Sequence, residues 1–353
     1  MTDTLTFLKS LISVAGLSGY EGPAARLIEA EWKPLVHELS RSRLGSLHAL
    51  RRGAGLDPRP SVLIATHMDA IGMMVTQVVE GFIRFTGIGG VDARVLPGTP
   101  VTVHGEQDLA GVVVMPSARQ LPPSVGEGPV PLDHLWVDVG LLPRQVAARV
   151  RVGDLVSFAT EAMDISGNAV SGHSLDNRAS VAALTVALEE LQSKQHAWDV
   201  WAVATSQEEV TLGGAATSSF DLNPSLAVVV DVTHAKGPGA NDWSTHPLGG
   251  GPSLGLGPNI HPLLHKKFKE LAEKLEMPHD VEPMPRHSGT DGYATQVARA
   301  GIPTFVLSIP LRYMHTPVEV VVLKDIRRTG RLLGEFIAGL EPDFVSRMTW
   351  DDD

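Results

Sequence analysis

Two adjacent carboxylates, Glu208 and Glu209, stand just past the apolar run Asp199-Val-Trp-Ala-Val-Ala-Thr205. Three other short apolar runs deliver a potential ligand in the same way. Ser61 to Thr66 leads into His67, Leu226 to Val230 into Asp231, and Pro303 to Ile309 into Arg312-Tyr-Met-His315. Short Val- and Ala-rich runs bounded by polar breaks read as strands buried on both faces of an α/β sheet. In open α/β sheets the ligand crevice lies at the carboxyl ends of the strands, so these side chains share one edge. Asp176 adds a fifth position, at the start of a strong helical pattern that follows a turn. Singly, each residue has an ordinary explanation: acids in a loop are solvated, a lone His is structural, an Asp closing a strand is a cap. Their convergence is the argument for chemistry.

The chain has no cysteine, so any metal must be held by His and carboxylate. Two His with three or four carboxylates suit a pair of divalent ions such as Zn, Co or Mn, with one carboxylate bridging. Two metals about 3.5–4 Å apart can share a hydroxide and clamp a reacting carbonyl, an arrangement that hydrolyses amides. Asp69, two residues beyond His67, is placed to accept the other ring N–H and fix the tautomer; a turn-forming acid is the alternative.

The elements that must position these residues follow from pattern. Leu5, Leu8, Leu11 and Ile12 share a helical face before Gly16, and a second amphipathic helix spans Pro23 to Val36. After Gly72 the texture changes for roughly ninety residues to short β-like runs separated by Gly and Pro, which reads as a small inserted β-barrel or sandwich. Within it, residues 117–133 are rich in Pro and Gly and read as a long mobile loop. Helical patterns return at Leu175 to Leu191, Pro262 to Leu275, Asp291 to Ala300 and Leu323 to Leu340. The expected organisation is an α/β catalytic domain from residues 1–70 and 165–353, interrupted by a β-rich domain at 71–164. The acidic tail at 351–353 reads as frayed.

Composition sets outer bounds. With 353 residues, 43% hydrophobic and 20% charged, the chain has material for more than one core. A net charge of −11 argues against a general nucleic-acid binder. No window approaches a membrane span, and the start of the chain lacks a basic segment followed by an apolar block, so a cytoplasmic location is expected.

Six segments, in order and across essentially the whole chain, carry a family resemblance: Ala65-Thr-His-Met-Asp-Ala-Ile-Gly72, Leu175-Asp-Asn-Arg178, Ser206-Gln-Glu-Glu-Val210, Asp231-Val-Thr-His234, Gly289-Thr-Asp291 and Ile309-Pro-Leu-Arg-Tyr-Met-His-Thr-Pro-Val-Glu-Val320. Together they resemble the tetrahedral (TET-type) cytosolic metallo-aminopeptidases, a family that includes glutamyl and deblocking aminopeptidases and members labelled endoglucanase. The resemblance implies that His67 and Asp231 hold one metal, Glu209 and His315 the other, and that Asp176 bridges them. It implies Glu208 as the general base and Asp69 as the residue that orients His67. It also implies a phosphorylase/hydrolase-like α/β domain with a central mixed sheet flanked by helices, an inserted PDZ-like β-barrel used for dimer contacts, and dimers assembled into a tetrahedral dodecamer. Two departures bear on specificity rather than on ligands: Val210-Thr-Leu-Gly-Gly214, where the family more often has Gly and Arg, and Gly249-Gly250, where a Lys is common.

The expected activity is therefore a dinuclear, metal-dependent removal of N-terminal residues from short peptides. Gly289, Thr290 and Asp291, at a helix start, are candidates to bind a substrate carbonyl or carboxylate, with an N-cap the alternative role for Asp291. Rival readings are a related dinuclear deacylase acting on N-acyl amino acids, a glycosidase, which would need only two carboxylates flanking a sugar, and a non-catalytic assembly protein on the same scaffold.

Overall fold

A computed structural model describes residues 3–125 and 128–350, so the acidic tail lies outside the described residues. Helix α1 (Thr4–Ile12) is capped by Asp3, whose carboxylate accepts the Leu5 N–H, and buries Phe7, Leu8, Leu11 and Ile12. Helix α2 covers Gly22–Trp32. It ends short of Val36 because Leu35 N–H bonds back to Trp32 in a turn and the chain leaves for an edge hairpin. That hairpin, β1 (Glu38–Arg41) and β2 (Leu47–Arg51), has no signature in the sequence pattern: β1 is polar and mostly exposed. Strand β3 (Ser61–His67) follows, buried from Val62 onward.

Residues 72–158 form a closed six-stranded barrel in the order β4-β5-β8-β7-β6-β9. Its strands are β4 (Gly72–Val79), β5 (Phe82–Ile88), β6 (Pro100–His104), β7 (Asp108–Val114), β8 (Trp136–Asp138) and β9 (Leu155–Phe158). Closure by β4 pairing with β9 leaves no free sheet edge. The barrel has its own apolar filling, including Met73, Val75, Ile83, Phe85, Val101, Val103, Val113, Val137 and Val156. It also carries a short helix, α3 (Pro143–Arg149), that sequence periodicity does not resolve.

The rest of the chain completes one large mixed sheet through β10 (Met163–Ile165), β11 (Ala169–Gly172), β12 (Asp199–Thr205), β13 (Leu226–His234), β14 (Ser253–Leu256), β15 (Asp280–Pro283), β16 (Thr304–Arg312) and β17 (Glu319–Val322). The path is β1-β2-β12-β3-β13-β16-β17-β11-β10, with β14 and β15 branching from β16. Its four central strands, β12, β3, β13 and β16, are parallel to one another, so their carboxyl ends meet at one edge. Six helices pack on this sheet or guard its edge: α4 (Leu175–Glu190), α5 (Glu208–Thr211), α6 (Gly213–Leu222), α7 (Pro262–Lys274), α8 (Asp291–Gln296) and α9 (Leu323–Ala338). Phe268 of α7 stacks on Phe305 of β16 at 4.3 Å and on Phe336 of α9 at 4.2 Å, which locks these two helices to the sheet.

Candidate metal centre

The parallel register dictates which side chains meet. Thr205 of β12 is paired with His67 of β3, so the Glu pair emerges three and four residues beyond the level of His67. Strands β3 and β13 pair from Val62 with Leu226 to Ala65 with Val229; two residues further on, that register brings His67 level with Asp231. Asp231 does not end its strand as its sequence suggests. β13 continues to His234 because Val232 and Thr233 keep pairing with β16. Beyond Arg312 the chain leaves β16, and His315 is held in the left-handed region at φ 62°.

The six expected ligand and base residues converge. His67 Nε2 lies 3.1 Å from Asp176 Oδ1, 3.7 Å from Asp231 Oδ1 and 3.8 Å from Glu208 Oε2. His315 Nε2 lies 3.2 Å from Asp176 Oδ2 and 3.3 Å from Glu209 Oε2. Asp176 thus offers one carboxylate oxygen to each histidine. Donor atoms of His67, Glu208 and Asp231 all lie within 4.8 Å of one another, as do those of His67, Asp176 and Glu209. Asp176 and Asn177 open α4 with non-helical backbone, and the Asn177 side-chain amide donates to Val230 O, which ties this helix start to β13.

Consecutive side chains on a strand point to opposite faces, so a continued β12 could not aim both glutamates at the site. A left-handed Gln207 (φ 58°) turns the chain into α5 instead. Three successive backbone N–H groups then point at two buried carboxylates: Gln207 N–H donates to Glu21 Oε1 (3.0 Å), and Glu208 and Glu209 N–H donate to Asp69 Oδ1 and Oδ2 (3.0 and 3.2 Å). Asp69 therefore does more than its sequence position suggests. His67 Nδ1 is 3.2 Å from the Asp69 main-chain oxygen and 3.6 Å from its carboxylate, so the backbone carbonyl is the closer ring partner and the carboxylate fixes the Glu pair.

Glu319 of β17, with no role assigned from sequence, is buried behind the centre. Its Oε2 accepts the Asp176 N–H at 3.1 Å and its Oε1 the His315 N–H at 2.9 Å. An acid set in an otherwise apolar run, Val318-Glu-Val-Val-Val322, is the available sequence signal, since a buried charge there needs a partner. Glu319→Gln keeps the shape but replaces one acceptor by a donor facing an N–H. It should lower metal affinity by about 10–100-fold, the range for partners that orient ligands, measured by competition with a chromophoric chelator; unchanged affinity would remove Glu319 from the centre. Arg178, also fully buried, donates Nη1 to Leu11 O and to Val14 O at 2.7 Å, anchoring the end of α1 beside this layer.

The electrostatics are those of a site built for cations. Burial pushes the Glu208 carboxyl up to about 10, with Asp231, Asp291 and Glu209 adding to the rise and His67 opposing it. Hydrogen bonds to Asp176 and Glu209 push His315 up to about 11. His67 is raised well above its usual range: burial opposes its charge, but Glu208, Asp176, Asp231 and Asp69 outweigh that. Four carboxyl groups and two imidazoles crowd together out of bulk water and share protons there, and Glu209 Oε1 is buried without a hydrogen-bond partner. Such a set, all His nitrogen and carboxylate oxygen, fits divalent cations of the Zn, Co or Mn type.

A cleft of about 640 Å³ opens over the cluster. Gly289 and Thr290 line it. Asp291 does not: it is buried beneath, accepting a hydrogen bond from Thr205 Oγ1 at 2.5 Å, and burial pushes its carboxyl up to about 7. The N-cap of α8 is Thr290, whose hydroxyl accepts the Gly292 N–H, rather than Asp291. The barrel contributes too. A Cβ on Gly90, in the loop after β5, would sit 2.6 Å from His315 Nδ1, so only glycine lets this loop press against the histidine.

Comparison with known proteins agrees with this geometry. The M42 glutamyl aminopeptidase family matches residues 45–332, more than half of the chain. The lysyl aminopeptidase of Pyrococcus furiosus is 35% identical over 346 residues, covering 96% of this chain and 98% of the relative. Among solved structures, the TET aminopeptidase of the marine sediment archaeon Thaumarchaeota archaeon SCGC AB-539-E09 superposes with a TM-score of 0.92 at 27% identity, covering 99% of this chain and 100% of that one. The TET1 peptidase of Pyrococcus horikoshii, which can assemble into a tetrahedron or a large octahedral shell, gives 0.82 at 28% identity, covering 96% and 100%. With its mixed sheet, closed barrel and His–carboxylate cluster on the sheet edge, the chain belongs to the M42 aminopeptidase family and is a peptide-bond hydrolase.

Proposed function

We propose that the cluster is a dinuclear centre that removes N-terminal residues from short peptides. The observation that carries this reading is Asp176, with one oxygen toward His67 and the other toward His315. In this reading His67 and Asp231 hold one cation, Glu209 and His315 a second, and Asp176 both. When bound, the two cations supply Lewis acidity and lower the pKa of water. Bound cations would offset the burial that raises the Glu208 carboxyl, so that Glu208, left without a ligand role in this reading, would take a proton from the attacking water at its carboxylate and return it to the leaving amine. Asp69 and Glu21 hold the turn that aims Glu208, and Gly289 and Thr290 on the cleft wall face the peptide. Turnover of aminoacyl anilides by the Zn-, Co- or Mn-loaded chain, set against N-acetyl amino acids, tests the reading. Turnover of the acetylated set alone would replace it with a deacylase.

A pH dependence follows from the charge balance. In the metal-free chain the raised pKa values keep His67 and His315 protonated at neutral pH. Cations bind the deprotonated rings, so uptake must release protons and affinity must rise with pH through neutrality. Calorimetric titration at pH 7 in two buffers of different ionisation enthalpy should show that release; identical heats in both buffers would contradict it.

The reading extends to assembly. Residues 71–164 are taken as a unit inserted in the catalytic domain of 1–70 and 165–353, through which chains pair before forming a tetrahedral dodecamer. Structural relatives that assemble into shells support it. Light scattering of the 37.7 kDa chain should report a particle of many subunits, and a monomer at working concentration would refute it. Among the described residues no helix is long and apolar enough to cross a membrane.

A further inference from the structure

The cleft contains one acid that the cluster does not use. Glu282 lies on β15, at the branch of the sheet beyond β16, and its Oε1 accepts a hydrogen bond from Thr233 Oγ1 at 2.6 Å. Its other oxygen, Oε2, is buried without a hydrogen-bond partner. Both residues line the cleft that holds His67, Asp176 and Asp231. Asp231 and Thr233 share a strand face, so Glu282 stands about 7 Å further along the strand than the cluster, the rise of two residues. Burial raises its carboxyl above the ordinary range, with Ser308, Thr233 and His246 acting against the rise and Asp231 with it.

The surroundings of this acid narrow what would satisfy it. Val232, Met284 and Met314 give the cleft apolar wall, and among the described residues no Lys or Arg lines it. The remaining groups there that could carry positive charge outside the cluster are His234 and His287, both exposed. A buried carboxylate oxygen without a donor is unfavourable until one arrives. A ligand entering with an apolar stem and a cationic tip supplies the donor and covers the methionines together, as lysine does with its four-carbon stem and three N–H bonds. A glutamate side chain would instead bring a second carboxylate against Glu282 with no fixed cation to meet it.

We infer that Glu282 is the specificity-determining residue of the cleft and selects substrates whose N-terminal residue is lysine or arginine. The inference rests on the aminopeptidase reading and adds the substrate class. It requires the side chain of the N-terminal residue to point along β13 from the cluster toward Thr233 while its carbonyl lies at Asp176 and Glu208.

Steady-state kinetics on the metal-loaded protein test it. Lysyl and norleucyl anilides differ only by the ammonium, and the expected kcat/KM ratio favours lysyl by about 10–100-fold, the range for one charge-assisted hydrogen bond. Glu282→Gln should bring that ratio to near one, and Glu282→Lys should move the preference to glutamyl anilide. Should either variant fail to fold, inhibition of the wild type by free L-lysine and L-norleucine supplies the same comparison, with lysine the tighter. A wild type that prefers glutamyl or norleucyl anilide, or a Glu282→Gln variant that keeps the lysyl preference, overturns the inference while the aminopeptidase reading stands. No turnover on any aminoacyl anilide overturns both.

Discussion

Glu208→Gln is expected to lower kcat by about 10²–10⁴-fold, the range for a positioned general base, with metal content and KM near those of the wild type. The amide has nearly the shape of the carboxyl but cannot accept a proton. The backbone N–H of residue 208 still donates to Asp69, so the turn that carries Glu209 stays in place. Single-turnover rates together with metal analysis check this. A variant with near-native kcat would move the base elsewhere, and loss of metal would make Glu208 a ligand.

Asp176→Ala is expected to do the opposite: metal is lost and turnover falls to background because the cations go. Both oxygens of Asp176 face histidines, so removing the carboxyl deprives both halves of the centre at once. Loss of an orienting partner alone costs about 10–100-fold in metal affinity, so loss of the proposed shared ligand should exceed that. The backbone N–H of residue 176 keeps its bond to Glu319, which favours a folded variant. Retention of two cations by Asp176→Ala would refute the bridging role.

These two effects differ because the sheet sorts the acids by position, and that sorting was partly legible beforehand. Val62 to Ala65, Ala202 to Ala204 and Val228 to Val230 are buried, as continuous apolar runs imply, and the polar residues that end or follow them lie on the shared edge. The Glu pair needed a turn, and Gln207 makes it. What sequence pattern did not show is the support behind the candidate ligands. Glu21 is the N-cap residue of α2 and Glu319 stands at the start of a four-residue strand, and neither has a period that marks its side chain as inward. Their partners are backbone N–H groups up to 186 residues away in the chain, and no local spacing encodes such a contact. Glu282 has no sequence signature for the same reason: β15 is short, partly exposed and, among the described residues, joined to the sheet through β14. Asp231 does not close its strand, because a strand whose neighbour is also long continues past it.

The most direct test is a titration of the exhaustively chelated protein with Zn, Co or Mn while turnover of an aminoacyl anilide is followed. Turnover should be absent at the start, return as cations are added, and level off at two equivalents per chain. Full turnover in the chelated protein, or saturation at one equivalent, would contradict a dinuclear centre at His67, Asp176, Glu208, Glu209, Asp231 and His315.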